Sequence, residues 1–196
     1  DRFTYFSHVA LQAISELELQ PSIIHAHDWP TALVPTLARR KYSWIPALRR
    51  ARYVLNVHNL MHQGKFGADF MHARLLGLSS TASFNLHHME HFGTVNFLKA
   101  GLIDADGVMF VSPTNLAESL QAPLGFELDG LLRHLDGRHK LRGVVNGIDM
   151  AETDPSRHPQ LSEAGFQPFD VDHLEKRVVN KTAIQAKYDL PVDAGI

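Results

Sequence analysis

The stretch Ile23-Ile24-His25-Ala26-His27-Asp28-Trp29 runs two β-branched apolar residues into two imidazoles and a carboxylate. Imidazoles donate, accept or relay protons near neutral pH, and an adjacent carboxylate can orient them. The pattern reads as a buried parallel strand, a tight turn and a helix start, and ligands in open α/β sheets bind beyond the carboxyl ends of strands. A plainer assignment stands beside this one: Asp28 caps the next helix and His25 is a hydrogen-bonded core residue. A second group, His87-His88-Met89-Glu90-His91, would set His87 and His91 four apart on one helix face. That spacing holds zinc only if a further ligand arrives from elsewhere, and Glu90 is misplaced for the general base of an H-E-x-x-H motif. Asp104 and Asp106 flank a strand start and could be paired carboxylates, although ending the preceding helix explains them more simply. No G-x-G-x-x-G, phosphate-loop lysine motif or nucleophile elbow is present.

The elements that must position these groups follow from periodicity. Phe3, Phe6, Ala10, Ala13, Ile14 and Leu17 predict an amphipathic helix over 2–19, ended by Pro21. A strand over 23–26 follows, then a helix carrying Trp29, Leu33, Leu37 and Ala38 that Pro35 should bend or begin afresh. Residues 41–50 read as a loop, 53–57 as a second strand ending at His58-Asn59, and 60–80 as irregular chain with short helical pieces. A helix is predicted over 83–99, with Leu86, Met89, Val95 and Leu98 as core contacts. A third strand at 107–111 leads into a helix with Ser112 as N-cap and Pro113 at its first position. A short helix at 128–135 and a fourth strand at 141–145 close on Asn146. Residues 150–169 read as an extended connector, and Asp172 with Glu175 as a capping box for a last helix carrying Leu174, Val178 and Val179. The alternation implies a parallel sheet with right-handed crossovers. One sheet edge would then collect His27, Asn59, Ser112 and Asn146, neutral groups suited to sugar hydroxyls.

Composition bounds the function. A chain of 196 residues with formal net charge -2 has no basic excess for nucleic acid or a membrane surface. Arg39-Arg40-Lys41 and Arg49-Arg50, around Trp44, read as a solvated helix end and loop. Without cysteine there is no disulfide, zinc-thiolate site or thiol nucleophile. No apolar run approaches the ~20 residues of a membrane span. The chain starts at Asp1 inside a helical pattern and stops after Pro191-Val192-Asp193-Ala194-Gly195-Ile196, so it is expected to be a piece of a longer protein.

Five motifs in order resemble the bacterial glycogen synthase and plant starch synthase family: Ile24-His25-Ala26-His27-Asp28-Trp29; Val57-His58-Asn59-Leu60 with Gln63-Gly64; Asn96-Phe97-Leu98-Lys99-Ala100-Gly101-Leu102; Val111-Ser112-Pro113-Thr114; and Val144-Val145-Asn146-Gly147-Ile148-Asp149. The resemblance covers essentially the whole chain. It implies an α/β fold, a Rossmann-like partial domain with a parallel sheet, taken from a two-domain B-type glycosyltransferase. Residues 1–149 would be the later half of the N-terminal domain, and 150–196 the connector and helix leading to a C-terminal nucleotide-binding domain.

The implied activity is retaining transfer of glucose from ADP-glucose to the non-reducing end of an α-1,4-glucan. His27 would contact the donor glucose and serve as the catalytic residue; His58 and Asn59 would line the same cleft, with Asn146 facing the partner domain. No cofactor and no obligatory metal are implied, and the partners are the nucleotide sugar, the glucan and the missing domain. The family's lysine-glycine-glycine motif and its second-domain arginine and lysine, which hold the diphosphate, are not in this sequence. The implied location is the bacterial cytoplasm or a plastid. His88 and His91 replace residue types common in the family and, with His87, read as structural or incidental; Pro30-Thr31, Thr153 and the loop 60–80 beyond Gln63-Gly64 also depart from the family pattern and bear on acceptor preference. Three alternatives stay open: a non-catalytic carbohydrate-binding or interaction domain of the same fold, a UDP-glucose-using relative, and a metal-dependent hydrolase built on His87 and His91.

Overall fold

Alternating apolar residues place Tyr53, Leu55 and Val57 on one side of a strand, where all three are buried. A computed structural model describes residues 2–71 and 77–195. In chain order the elements are α1 (Arg2–Glu16), β1 (Ile23–His27), α2 (Asp28–Thr31), α3 (Leu33–Arg40), α4 (Pro46–Arg50), β2 (Arg52–Val57) and β3 (Lys65–Gly67). After a 3-10 turn at Ala68–Met71 come α5 (Ser80–Ser83), β4 (Glu90–His91), β5 (Thr94–Asn96), α6 (Phe97–Asp104), β6 (Gly107–Phe110) and α7 (Pro113–Ser119). The last elements are α8 (Asp129–Asp136), β7 (Leu141–Gly143), α9 (Met150–Thr153), α10 (Pro159–Glu163) and α11 (Lys176–Lys187). Contacts divide the chain into two compact units, Asp1–Asn146 and Gly147–Ile196.

In the first unit, β1, β2, β6 and β7 pair in that order and all in parallel. Their carboxyl ends therefore share one edge, as the alternation of strands and helices predicts. The register aligns Ala26, Leu55, Val108 and Leu141, and all four are buried. Burial of side chains such as Leu55, Val108 and Leu141 stabilises by about 1.5–3 kcal/mol each. One position along, His27, Asn56, Met109 and Arg142 align in a row on the opposite face, turned away from that core. Helix α6 lies close against the α2–α3 junction. A Cβ on Gly101 would sit 2.5 Å from the Ala32 carbonyl oxygen, so only glycine permits that approach.

Several predicted elements change. Helix α1 stops at Glu16, because Glu18 turns into the left-handed region at φ 55. The helix after Asp28 restarts at Leu33, two residues before Pro35, leaving α2 and α3. Residues 41–50 contain α4, with Pro46 in its first turn. The 60–80 stretch holds β3; its residues 72–76 lie outside those described. The predicted 83–99 helix is instead the turn after α5, an antiparallel hairpin and the start of α6. Phe92 and Gly93, at φ 49 and 77, make the two-residue turn of that hairpin. Met89, Val95 and Leu98 are buried as expected, whereas Leu86 is exposed. The 150–169 connector carries α9 and α10. Helix α11 begins without a side-chain cap, since the local hydrogen bonds from Asp172 N–H and the His173 ring go to Asp170; Leu174, Val178 and Val179 are exposed.

The basic patch is exposed, as expected, at Arg49 and Arg50, but Arg39 and Arg40 are committed to ion pairs. Arg40 binds Asp104 through two nitrogens at 2.9 and 3.0 Å, and buried His88 meets the same carboxylate at 2.7 Å. Arg39 and Arg52 grip Asp106, which also accepts the Tyr53 N–H at 2.8 Å. Asp104 thus ends α6, as the simpler reading held, and ties it to α3 across the amino-terminal side of the sheet. Burial alone pushes the Asp104 pKa up, but the hydrogen bonds from His88 and Arg40 outweigh it and hold the carboxyl well below the usual range. Asp106 is likewise lowered, its partial burial offset by the Tyr53 N–H and the two arginines.

A carboxylate whose pKa is depressed on folding contributes stability that is complete above its unfolded value and is lost as pH falls toward the folded one. Urea unfolding is therefore expected to weaken progressively below about pH 4. With a side chain 9% exposed, Asp104→Asn is expected to cost about 3–5 kcal/mol at pH 7 and to flatten that acid slope. An unchanged midpoint would remove the ion-pair network from the account.

Candidate functional site

The site begins with backbone geometry at the end of β1. Asp28 sits at φ 55, a conformation aspartate tolerates better than most residues. From there its Oδ1 accepts the His58 N–H at 2.7 Å and the Asn59 N–H at 3.3 Å. Asp28 therefore does not cap the following helix. It fastens the loop after β2 to the turn after β1, across 30 residues of sequence. Thr31 completes the turn, donating to the His27 carbonyl and accepting the His27 N–H, each at 2.6 Å.

This clamp stacks three imidazoles. The rings of His27 and His58 lie 5.4 Å apart at 25°, and those of His25 and His27 lie 4.4 Å apart. His27 Nδ1 is 3.1 Å from His58 Nε2, so one ring's N–H donates to the other's lone pair. His58 Nε2 also lies 2.8 Å from the Asn56 amide nitrogen. Partial desolvation, then the neighbouring His27 and His58, hold the His25 pKa below the usual histidine value. The result is a row of imidazoles and an amide on the carboxyl edge, with exposed rings and directional donors and acceptors. That inventory suits hydroxyl groups better than a strongly charged ligand.

The surroundings fix the loop between β2 and β3. Trp29 packs edge-on to Phe3 at 5.0 Å and lies over Gly64, whose Cβ, if present, would fall 2.5 Å from the indole. Gly64 is at φ 64, so both space and backbone require glycine there. Buried Gln63 accepts from the Asn96 side chain at 2.7 Å and donates to the Phe126 carbonyl at 2.8 Å. Asn96 in turn caps α6 by accepting the Lys99 N–H at 2.9 Å. The Gln63-Gly64 and Asn96-Phe97-Leu98-Lys99 motifs thus hold the loop rather than line it.

Of the predicted residues, the structure brings His27, His58 and Asn59 together. Asn59 Oδ1 accepts the Met61 N–H at 3.0 Å, leaving its amide NH2 toward solvent. Ser112 spends its hydroxyl as the predicted N-cap, accepting the Asn115 N–H at 2.9 Å. Asn146 follows β7 at the end of the first unit, exposed and without a side-chain hydrogen bond among the described residues. His87 and His91 do not share a helix face: His87 is exposed in a turn, and His91 is buried on β4. Sequence reasoning missed Asn56 and the linking role of Asp28. The two-residue strand alternation that pairs His25 with His27 was available for Asn56 and His58 as well. The bond across 30 residues had no local signal.

With this geometry in hand, comparison with known proteins is direct. A family model described as starch synthase catalytic domain matches residues 1–134. The glycogen synthase of Clostridioides difficile (strain 630) is 34% identical over 196 residues, which is 100% of this chain and 39% of that protein. The glycogen synthase of Bacillus cereus (strain ATCC 10987 / NRS 248) is 38% identical over 191 residues, 97% of this chain and 38% of the relative. The chain therefore spans less than two fifths, or about that share, of these relatives' length. Among solved structures, the catalytic domain of starch synthase IV from Arabidopsis thaliana, bound to ADP and acarbose, matches with a TM-score of 0.76 and 30% identity, covering 95% of this chain and 36% of that one. The parallel-sheet α/β fold is that of the same catalytic domain.

Histidine titration by NMR tests the stack. His25 is expected to titrate below the free-histidine value, and His27→Ala to move it upward by removing one of the two like charges. With the folded pKa lowered, the stabilisation is present above the unfolded value and is lost as pH falls through the folded one. An unshifted His25 in both proteins would mean the rings are not stacked in solution.

Proposed function

The chain belongs to the starch synthase catalytic domain family, and from that premise we propose that it is the sugar-binding edge of a retaining glucosyltransferase that elongates an α-1,4-glucan from ADP-glucose. The observation that carries the reading is the contact of His27 with His58, fixed by Asp28 at the carboxyl edge of the sheet. His27 contacts the donor glucose, His58 holds the His27 ring, and Asn59 and Asn146 offer amides to sugar hydroxyls. In the reaction the bond from glucose C1 to the diphosphate breaks, and C1 joins the acceptor's 4-hydroxyl oxygen on the same face, with loss of that hydroxyl's proton.

This chain's part is to hold the glucose in the attacking geometry, which supplies rate by orientation. The charge of the leaving diphosphate is met by groups outside these 196 residues, in the first part of the same domain and in the nucleotide-binding domain to which residues 150–196 lead. Residues 150–196 form the connector to that domain. The ADP-bound starch synthase neighbour supports ADP-glucose over UDP-glucose as donor. The bacterial glycogen synthases among the relatives support a cytoplasmic location. No helix among the described residues is long and apolar enough to cross a membrane.

In the full-length protein carrying this segment, glucose transfer from ADP-glucose to glycogen is expected, and His27→Ala is expected to lower kcat/KM by ~100-fold, about 2.7 kcal/mol of transition-state stabilisation. A parent that binds glucan but transfers from neither ADP-glucose nor UDP-glucose would identify a binding domain instead. An active parent with an unaffected variant would move the sugar site away from His27.

A further inference from the structure

We propose that Asn56 is a positioning residue that sets the tautomer of His27 through His58, so that the His27 ring meets the donor sugar with a bare lone pair at Nε2. This rests on the glucose contact assigned to His27 above, and it names both the polarity of that contact and the residue that sets it. One nitrogen decides the matter. His58 Nε2 has two neighbours, the Asn56 side-chain amide nitrogen at 2.8 Å and His27 Nδ1 at 3.1 Å. An amide nitrogen carries two hydrogens and only donates. His58 Nε2 therefore holds a lone pair, and the hydrogen of its neutral ring sits on Nδ1. A lone pair at His27 Nδ1 would face this one across 3.1 Å with no hydrogen between them. His27 Nδ1 consequently carries its own ring's hydrogen and donates it to His58. In a neutral imidazole the other nitrogen then has none. His27 Nε2 has no hydrogen-bond partner among the described residues, and it is left as an acceptor.

The other polar groups nearby do not compete for this choice. A carboxylate is a common orienting partner of an imidazole, but Asp28 Oδ1 is taken by the His58 and Asn59 backbone N–H groups. Thr31 spends its hydroxyl on the His27 backbone, at the N–H and at the carbonyl. The His25 and His27 rings lie 4.4 Å apart, and no hydrogen bond joins them among the described residues. Asn56 is held in place by the sheet itself. It pairs in register with His27, and it lies two residues before His58, so strand alternation brings both side chains to one face.

The consequence is a contact of defined polarity. An acceptor at His27 Nε2 takes the hydrogen of a sugar hydroxyl and leaves that oxygen's lone pairs for other partners. With its single ring hydrogen committed to His58, neutral His27 is not a proton source for the departing diphosphate. An amide at position 56 also differs in kind from a carboxylate. Aspartate there would only accept, drawing a hydrogen onto His58 Nε2. His27 Nδ1 would then become the acceptor and His27 Nε2 the donor, which reverses what the ring offers the sugar.

Two measurements on the full-length protein test this. The first is nitrogen NMR of the histidine rings at about pH 8, where unperturbed imidazoles are neutral, with His27 assigned by the loss of its signals in His27→Gln. The parent is expected to hold the His27 hydrogen on Nδ1, and Asn56→Asp to move it to Nε2. A merely structural Asn56 would alter stability without moving that hydrogen. An Nε2–H tautomer in the parent, or one unchanged in Asn56→Asp, overturns the proposal; the parent's result stands even where the variant fails to fold. The second is equilibrium binding of ADP-glucose analogues in which one sugar hydroxyl at a time is replaced by hydrogen or by fluorine, which cannot donate. At the hydroxyl that His27 receives, both replacements are expected to weaken binding equally, by about tenfold, and His27→Ala to erase that loss. A fluoro analogue that keeps full affinity where the deoxy analogue loses it marks His27 as a donor and overturns the proposal. An Nδ1–H tautomer that depends on Asn56, with no analogue showing a loss that depends on His27, would sustain the role of Asn56 and defeat the glucose contact.

Discussion

One carboxylate joins the two loops on which the site depends. Asp28 accepts N–H groups from both His58 and Asn59, and hydrogen bonds of this charge-assisted kind are roughly twice as strong as neutral ones. The bond is available only because the chain turns into the left-handed region at Asp28, directly after β1. That turn sends Trp29 back toward Phe3 and Gly64, so the helix start, the exposed imidazole rings and the loop after β2 are set by one backbone choice. His27 then owes its position to Thr31 from below and to His58 from the side.

The two edges of the sheet do different work. At the carboxyl edge, exposed rings and amides lie open to a ligand. On the amino-terminal side, Asp104 and Asp106 gather Arg39, Arg40, Arg52 and His88 into ion pairs that bind α3, α6 and two strands together. The lowered titration of Asp104 and Asp106 marks stability here, not catalysis, since structural networks also perturb pKa values. Between the edges, Gln63 and Asn96 bond the loop after β2 to the cap of α6. Positioning of the site therefore reaches back through the helical layer to the core.

The strands and the clustering at their carboxyl ends were legible because parallel strands are short apolar runs and their polar termini stand out, although β1, predicted to be buried, buries only Ala26 and leaves Ile23 and His25 exposed. Ser112-Pro113 was legible as a helix start because its signal is local. The hairpin at 90–96 was not. Leu86, Met89, Val95 and Leu98 fall at near-helical spacing, and the turn residues Phe92-Gly93 carry only half of the usual Asn-Gly signal. Arg39 and Arg40 read as solvated because their partners lie more than 60 residues away. The Asp172–Glu175 box failed for the opposite reason: a nearer acceptor, Asp170, took the local hydrogen bonds. His27 and His58 were legible as residues, but their contact, and Asn56 beside them, needed the register of β1 against β2.

The central claim is that glucose sits against the clamp at the carboxyl edge, and a structure of the full-length protein with ADP and an oligosaccharide bound tests it most directly. The expected result is a pyranose hydroxyl within hydrogen-bond reach of His27, about 3 Å, with the Asp28 bonds to His58 and Asn59 intact. A pyranose bound elsewhere in the protein, touching none of His27, His58 and Asn59, would contradict it.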